Sequence, residues 1–133
     1  MRVAIDTNVF VSSFFGGVPK QVLDRWKVGA LTLCRSRPIV EDYTAVLERL
    51  GVDAPELRDP LKLFAERYHC VFTTSAPELR LIDADPDDDK FIACAVALGA
   101  TAVVSGDKHL LSVGDYMGIQ MLTPRQFLDL RTV

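Results

Sequence analysis

Two aspartates follow short apolar runs that are typical of buried parallel strands. Asp6 comes directly after residues 3–5, and Asp107 comes just after residues 102–105. In an open α/β sheet, ligands bind beyond the carboxyl ends of the strands, so two carboxylates are expected at that edge. Taken singly, each aspartate is equally well explained as a turn residue, since Asp commonly follows strands and caps turns.

The helix predicted over residues 38–50 carries a third carboxylate. A rotation of about 100° per residue places Asp42 at the border of the apolar arc and Glu41 on the solvent side. The arc consists of Ile39, Tyr43, Val46 and Leu50. Two purely structural explanations of Asp42 stay open, namely an ion pair with a neighbouring arginine and a favourable interaction with the helix N-terminus.

A fourth carboxylate lies near the start of a helix predicted over residues 85–98. Asp88 falls in the middle of its apolar arc, whereas Asp87 and Asp89 flank that position and are predicted to be more exposed. Asp85 is a good N-cap, and acids in a first turn complement the helix dipole whatever the function. A carboxylate within an apolar stripe is costly unless a cation neutralises it, so Asp88 is the strongest candidate in this run.

Several carboxylates in one site raise one another's pKa, so such a cluster is normally paired with a cation. Oxygen ligands without His or Cys suit a hard ion, Mg²⁺ or Mn²⁺, which is bound through a few carboxylates and retained waters while a phosphate completes the shell. This is the chemistry of metal-assisted phosphodiester hydrolysis. Asn8 and Ser105 each lie two residues from a candidate aspartate and could hydrogen-bond a carboxylate or phosphate oxygen. An ordinary loop role explains both equally well.

Strands and helices alternate along the chain. Strands are predicted at residues 3–5, 31–34, 102–105 and 119–122, with another beginning at Cys70. Helices are predicted from Pro19 to about residue 29, over 38–50, over 85–98, and after an N-cap at Thr123 followed by Pro124. Residues 55–68 are predicted to form a helix, or a helix pair broken by Pro60. Strands separated by helices imply a mostly parallel sheet covered on both faces.

The composition indicates one domain over residues 1–133. About half of the chain is apolar (49%), which is enough for folding without a disulfide or a structural metal. No apolar run approaches the roughly 18 residues of a membrane span, and the N-terminus does not resemble a signal peptide, so we expect a soluble cytoplasmic protein. Cys34, Cys70 and Cys94 are far apart and are predicted to be buried free thiols. A net charge of −3 argues against broad coating of nucleic acid.

Four segments contain the candidate acids. They are VAIDTNV from residue 3, EDYTAVL from residue 41, DPDDDKF from residue 85 and VVSGDK from residue 103. Together they resemble the PIN-domain family, and in particular its prokaryotic branch of VapC-like ribonucleases, the toxins of toxin–antitoxin systems. The resemblance spans nearly the whole chain in the family's order and spacing. It implies a three-layer α/β/α sandwich with a mostly parallel central sheet, and a Mg²⁺- or Mn²⁺-dependent endoribonuclease acting on RNA.

The resemblance also implies site residues and partners. Asn8 would be a supporting polar residue, homodimers are frequent, and a toxin would be inhibited by a small antitoxin protein. The acidic quartet implied by the resemblance is Asp6, Asp42, Asp88 and Asp107.

The sequence departs from the family pattern at two positions. The second acid of this branch is commonly Glu, whereas here Asp42 holds the place with Glu41 beside it. Either could be the ligand, and the helical-face argument favours Asp42. His109 stands where a further acid is common after the fourth one. A position in the first turn of a short helix explains His109 better than a catalytic role.

Two other functions compete with a ribonuclease. A haloacid-dehalogenase-like phosphatase also has a nucleophilic Asp after the first strand, but its chemistry needs a second acid two residues later, where Asn8 cannot release a proton. A catalytically inactive PIN-fold module that binds RNA or protein predicts fewer surviving acids. The leading hypothesis is a metal-dependent endoribonuclease with Asp6, Asp88 and Asp107 as metal ligands, and Asp42 as a ligand or as the positioner of the attacking water.

Four basic side chains are candidates to hold RNA around the mouth of the site, although solvated surface charge explains each about as well. They are Arg35, Arg37, Lys90 and Lys108. Removing the four candidate carboxylates from the net charge of −3 leaves +1, so the acid excess belongs to the proposed site. The composition therefore excludes a broad basic coat, but not a metal-centred pocket that binds one phosphate at a time.

Overall fold

A six-stranded sheet forms the centre of the protein in the computed structural model, which describes residues 1–51, 62 and 64–130. Its strands are β1 (Arg2–Ile5), β2 (Thr32–Ser36), β3 (Cys70–Thr73), β4 (Ala102–Val104), β5 (Asp115–Tyr116) and β6 (Ile119–Leu122). The strand order is β3-β2-β1-β4-β6-β5, and every neighbouring pair is parallel except β5 and β6. All five predicted strands are present.

Helices connect the strands. Within the described residues they are α1 (Thr7–Ser12), α2 (Gly17–Lys27), α3 (Arg37–Leu50), α4 (Asp89–Leu98), α5 (Lys108–Val113) and α6 (Pro124–Leu128). Short 3-10 turns cover Ser13–Phe15 and Pro86–Asp88. The helix or helix pair predicted over residues 55–68 lies largely outside the described residues. None of the described helices has the length and apolar character that a membrane crossing requires.

The direction of the connections places the helices in two layers. The chain runs from β1 through β2 to β3 in one direction, and right-handed crossovers put the intervening helices on one face of the sheet. It then returns past β1 to β4, so the crossover helix α4 lies on the opposite face, where it packs across β1 to β4. The predicted three-layer α/β/α sandwich with a mostly parallel sheet is therefore confirmed.

Burial explains why the central strands are almost purely apolar. Val3, Ala4 and Ile5 of β1 are all buried, because helices cover both faces of this strand. On one face, α1 packs against α3, and the rings of Phe10 and Tyr43 lie 4.1 Å apart between their centroids. The core thus fixes α3 against the carboxyl end of β1.

The predicted ends of the helices agree with the structure at three places. Gly51 follows α3 directly, and Gly99 ends α4 in the left-handed conformation, with φ of 64°. Thr123 accepts a hydrogen bond from the Gln126 N–H at 3.1 Å, while the Gln126 side chain accepts one from the Thr123 N–H at 2.9 Å. This capping box satisfies two main-chain donors at the start of α6.

Three sequence expectations about exposure and strands need correction. Leu50 was predicted on the buried arc of α3 but is 53% exposed, because it lies in the last turn, beyond Leu47, where the buried part of the helix ends. Cys34 and Cys94 are buried free thiols as predicted, whereas Cys70 on the edge strand β3 is only half-buried. The short strand β5 was not predicted.

The β5–β6 hairpin shows why β5 escaped prediction. Its two-residue loop places both Met117 and Gly118 at positive φ, 53° and 82°. A tight hairpin turn requires this geometry, for which Asn-Gly is the recognisable sequence signal. Met-Gly does not give that signal.

The buried Tyr43 hydroxyl offers a test of how α3 is anchored to β1. It donates a hydrogen bond to the Ile5 carbonyl, next to Asp6. We expect Tyr43→Phe to lower the free energy of unfolding by about 1–3 kcal/mol, because the buried carbonyl loses this donor. Urea denaturation followed by circular dichroism measures the change. Tyr116→Phe is the control, since no hydrogen bond of the Tyr116 hydroxyl is found within the described residues, and it should change stability by less than about 0.5 kcal/mol. Equal losses in the two variants would contradict the anchoring role.

Candidate active site

A cavity of about 220 Å³ lies at the carboxyl ends of β1 and β4. The chain leaves β1 toward β2 and later returns to β4 on the other side, so this is the topological switch point where α/β sheets bind ligands. All four carboxylates predicted from the sequence line this cavity. Its lining consists of Asp6, Thr7, Asn8, Asp42, Val46, Asp85, Asp88, Phe91 and Asp107.

Asp6 is held rigidly at the end of β1. It is the N-cap of α1, and its Oδ1 accepts a hydrogen bond from the Val9 N–H at 2.8 Å, while Oδ2 accepts one from the Ser105 hydroxyl. Burial raises the pKa of Asp6 above its ordinary value, and the charge of Asp107 adds to the rise, although these hydrogen bonds oppose it. Asp6 therefore caps a helix, as its structural explanation predicts, and also lines the cavity.

Asp107 occupies the matching position after β4. It is the N-cap of α5, and its Oδ1 accepts hydrogen bonds from the N–H groups of His109 at 2.7 Å and Leu110 at 3.3 Å. Its own N–H donates to the Ser105 hydroxyl oxygen at 2.9 Å. The fully buried Ser105 therefore links Asp6 to Asp107. His109 lies in the first turn of α5, as its simpler explanation predicts.

Asp88 and Asp85 come to the cavity from the 3-10 turn that precedes α4. Asp85 occupies an N-cap position as predicted, but its side chain makes no capping hydrogen bond and lines the cavity instead. The Asp88 N–H donates a hydrogen bond to the Asp85 carbonyl at 3.1 Å, and this turn brings both aspartates to the same cavity. Burial and the charges of Asp85, Asp107 and Asp6 raise the pKa of Asp88 to about 6, and Lys90 opposes the rise.

Asp89 has a different role from the one predicted. It was expected to be more exposed than Asp88, but it is only 5% exposed. Its carboxylate accepts hydrogen bonds from the N–H groups of Leu81 at 3.2 Å and Ile82 at 3.1 Å. The helical rotation used for the prediction fails here, because α4 begins only at Asp89, after the 3-10 turn. Asp89 thus fixes the preceding segment, while Asp87 is exposed as predicted.

Asp42 reaches the cavity from α3. Its Oδ2 accepts a hydrogen bond from the Thr7 hydroxyl, and its Oδ1 lies 3.4 Å from the Lys90 ammonium. The ion pair that the sequence left open therefore forms with a lysine of α4, not with an arginine. Glu41 lies on the exposed side of α3 and pairs with Arg37 at 3.0 Å. Of the two neighbouring acids, Asp42 is the one that lines the cavity.

The basic candidates lie in different surroundings. Arg35 is only 7% exposed and lies away from the cavity, with its guanidinium 4.6 Å from the centre of the Phe64 ring and a hydrogen bond to the Phe64 carbonyl. Arg37 is exposed and paired with Glu41 on the outer side of α3. Lys90 pairs with two carboxylates. Lys108 is exposed next to Asp107, without an ion pair in the part of the chain that the structure describes.

Two polar groups of the site were missed by sequence reasoning. The Thr7 hydroxyl orients Asp42, and Asp85 adds a fifth carboxylate to the cavity. The signal for Thr7 was its place in the Asp-Thr-Asn segment directly after β1. The signal for Asp85 was its spacing of three residues from Asp88, together with Pro86, which favours a turn at that point.

The donor set of the cavity fits a hard divalent cation. Its candidate ligands are carboxylate oxygens, and burial together with the charges of neighbouring carboxylates raises the pKa values of Asp6 and Asp88. Among the described residues, no group of three or more His, Cys, Asp or Glu side chains is gathered closely enough to hold an ion by itself. Mg²⁺ typically uses one or two carboxylates and completes its shell with waters and substrate phosphates, so such a group is not required.

Comparison with protein-family models gives a match to the PIN domain over residues 2–109. Comparison with curated proteins finds no significant match. PIN domains are typically nucleases, and PIN nucleases generally use divalent metal ions. The matched region includes β1, α3, α4, β4 and all the carboxylates of the cavity. Because the match covers most of the chain and the sheet has the expected mostly parallel form, the protein belongs to the PIN-domain family.

Proposed function

We propose that the protein is a Mg²⁺- or Mn²⁺-dependent endoribonuclease that hydrolyses RNA phosphodiester bonds. The observation that carries this proposal is the convergence of five carboxylates, from β1, α3, the turn before α4 and the end of β4, on one cavity. Such crowding of negative charge destabilises a fold unless a cation balances it. The cavity also lies at the switch point of the sheet, where α/β proteins bind their ligands.

We assign the roles of the four carboxylates from the contacts that hold their side chains. Asp6, Asp88 and Asp107 would hold the ion, one or two of them directly and the others through waters that the ion retains. Asp42 would be either a further ligand or the positioner of the attacking water. A bound divalent ion orients and acidifies a water molecule and offsets charge on the scissile phosphate. The Ser105 hydroxyl and the Val9 N–H fix the orientation of Asp6, as supporting hydrogen bonds do for metal ligands. Lys108 is the exposed lysine best placed to contact RNA.

The structure favours phosphodiester hydrolysis over the two competing functions. A phosphatase of the haloacid-dehalogenase type needs a proton donor two residues after Asp6, and Asn8 lines the cavity there without a proton to give. A module that has lost its chemistry would keep the fold without keeping the acids. All four carboxylates implied by the family resemblance are present and line one cavity.

Replacing single carboxylates tests the proposal. We expect Asp6→Asn and Asp88→Asn each to reduce Mg²⁺-stimulated cleavage of RNA more than about 100-fold, because loss of a ligand costs more than loss of a supporting hydrogen bond. The assay incubates the purified protein with mixed cellular RNA and either Mg²⁺ or Mn²⁺, repeats the incubation with EDTA, and maps the fragment ends. Circular dichroism should show unchanged folds. Asp24→Asn, on the exposed side of α2, is the matched control and should retain full activity.

Two results would count against the ribonuclease. One is full activity of either site variant. The other is robust turnover of a generic phosphomonoester that competing RNA does not affect, because this outcome indicates a phosphatase.

The pH dependence of stability gives an independent test without RNA. The pKa of Asp88 is about 6 in the folded protein against an ordinary value of 3.8, so the folded state binds the extra proton between these values. The charged carboxylate therefore lowers the stability of the metal-free protein above about pH 6, and this loss fades as the pH falls. In EDTA, Asp88→Asn should raise Tm by about 2–4 °C at about pH 7.5, and the gain should shrink at about pH 5. An equal rise in Tm at both pH values would show that the charge of Asp88 is not what destabilises the metal-free protein.

We extend the proposal to a toxin component of a type II toxin–antitoxin system, in the VapC-like branch, acting in the cytoplasm. Its support is the resemblance of the four acid-bearing segments to that branch. The same resemblance supports a homodimer and a small antitoxin as a partner. Induced expression in bacteria should arrest growth when no antitoxin is supplied, whereas the Asp6→Asn variant at equal protein level should not. Normal growth with the unaltered protein, or equal arrest with both, would contradict the toxin role.

A further inference from the structure

Lys90 lies behind the candidate active site and connects the two helical layers. It belongs to α4, on one face of the sheet, and its ammonium is 3.4 Å from Oδ1 of Asp42 in α3, which belongs to the opposite layer. The ammonium also donates a hydrogen bond to Oδ2 of Asp87 at 2.8 Å. The Lys90 side chain is only 12% exposed and lines a neighbouring cavity of about 540 Å³. The Asp42 side chain is 34% exposed, so the contact is partly shielded from solvent, unlike an ion pair between two exposed side chains.

Both oxygens of the Asp42 carboxylate have partners in the chain. Oδ1 faces the Lys90 ammonium, and Oδ2 accepts the hydrogen bond from the Thr7 hydroxyl. Asp42 is thus oriented by groups of the chain itself, one of which is an ammonium that it shares with Asp87. If Asp42 were a direct metal ligand, its carboxylate would have to lose the contact with the Lys90 ammonium. Otherwise one of its oxygens would have to contact both the metal ion and the ammonium.

The other carboxylates of the cavity have no such partner. Within the described residues, neither a lysine nor an arginine forms an ion pair with Asp6, Asp85, Asp88 or Asp107. The cavity therefore has two sides, an Asp42 side in contact with the Lys90 ammonium and an acidic side whose carboxylates form no ion pair with a described lysine or arginine.

This asymmetry affects how many divalent metal ions the cavity can bind. In nucleases with two metal ions, the ions lie about 3.5–4 Å apart and clamp the attacking and leaving oxygens. An ammonium that already contacts Asp42 repels a second divalent ion from the same carboxylate. On the basis of the proposed function, we propose that the Lys90 ammonium takes the place of a second divalent cation beside Asp42, so that the site binds one ion. Lys90 is then a positioning residue that acts through Asp42.

Metal stoichiometry tests this role directly, and it does not depend on RNA cleavage. Isothermal titration calorimetry with Mn²⁺ should give one ion per chain for the unaltered protein and two for Lys90→Gln, in which Asp42 is released. Electron paramagnetic resonance of Lys90→Gln should show the signal of a coupled Mn²⁺ pair. Lys90→Arg keeps a cation at this position and should again bind one ion.

Two further variants separate position from charge. Lys108→Gln removes the same charge beside the cavity but leaves the Lys90–Asp42 contact intact, so it should bind one ion. The double variant Lys90→Gln with Asp42→Asn should return from two ions to one, because the carboxylate required for the second ion is missing.

The single variant Asp42→Asn, in which Lys90 is unchanged, provides a second test if Lys90→Gln does not fold. Since Asp42 is not needed for the single ion, the affinity for Mn²⁺ should fall by no more than about tenfold, the lower range for a supporting residue. Two ions in the unaltered protein, one ion in a folded Lys90→Gln variant, or loss of Mn²⁺ binding in Asp42→Asn would each overturn the role of Lys90. Absence of Mn²⁺ binding by the unaltered protein would overturn the proposed metal-dependent function itself, and the inference with it.

Discussion

The parallel pairing of β1 with β4 is the constraint on which the candidate site depends. These strands are distant in sequence, yet their pairing continues past the strand ends through the hydrogen bond from the Asp6 N–H to the Val104 carbonyl. The next residue, Ser105, then uses one hydroxyl group to donate to Asp6 and to accept from the Asp107 N–H. A slip in register would move every side chain to the other face of the sheet and separate the two carboxylates. The apolar core that holds the register therefore also sets the geometry of the acids.

Hydrogen-bond donors of the chain itself offset part of the repulsion between these crowded carboxylates. Asp6 and Asp107 each accept main-chain N–H groups at a helix N-terminus, where the helix dipole favours negative charge. Asp42 has Thr7 and Lys90. These contacts compensate only in part, because burial still raises the pKa of Asp6. The unfavourable free energy of a buried charge that remains is typical of functional sites, where a protein loses some stability so that its charged groups are in place for a ligand.

Much of this arrangement could be predicted from the sequence, because it depends on regular periodicities. An aspartate directly after an apolar strand lies at the carboxyl edge wherever the strand pairs, so Asp6 and Asp107 required no knowledge of the fold. The helical period separated Asp42 from Glu41 correctly. It failed at Asp89, because a 3-10 turn precedes α4 and changes the rotation between residues. The contact of Lys90 with Asp42 was beyond reach, since it depends on how two helices from opposite layers meet at one edge of the sheet.

The distribution of charge reconciles an acidic protein with the proposed RNA substrate. The net charge of −3 becomes −1 with one divalent ion and +1 with two, so neither state gives the surface a strong general attraction for RNA. Attraction must come from the local field at the cavity, which is strongest where charge is least screened by solvent. With Asp42 already in contact with Lys90, the proposed ion would lie on the acidic side beside Asp6, Asp88 and Asp107, next to the exposed Lys108. A phosphate would therefore meet positive charge at one place only, and the fold would select a single phosphodiester instead of binding RNA along its length.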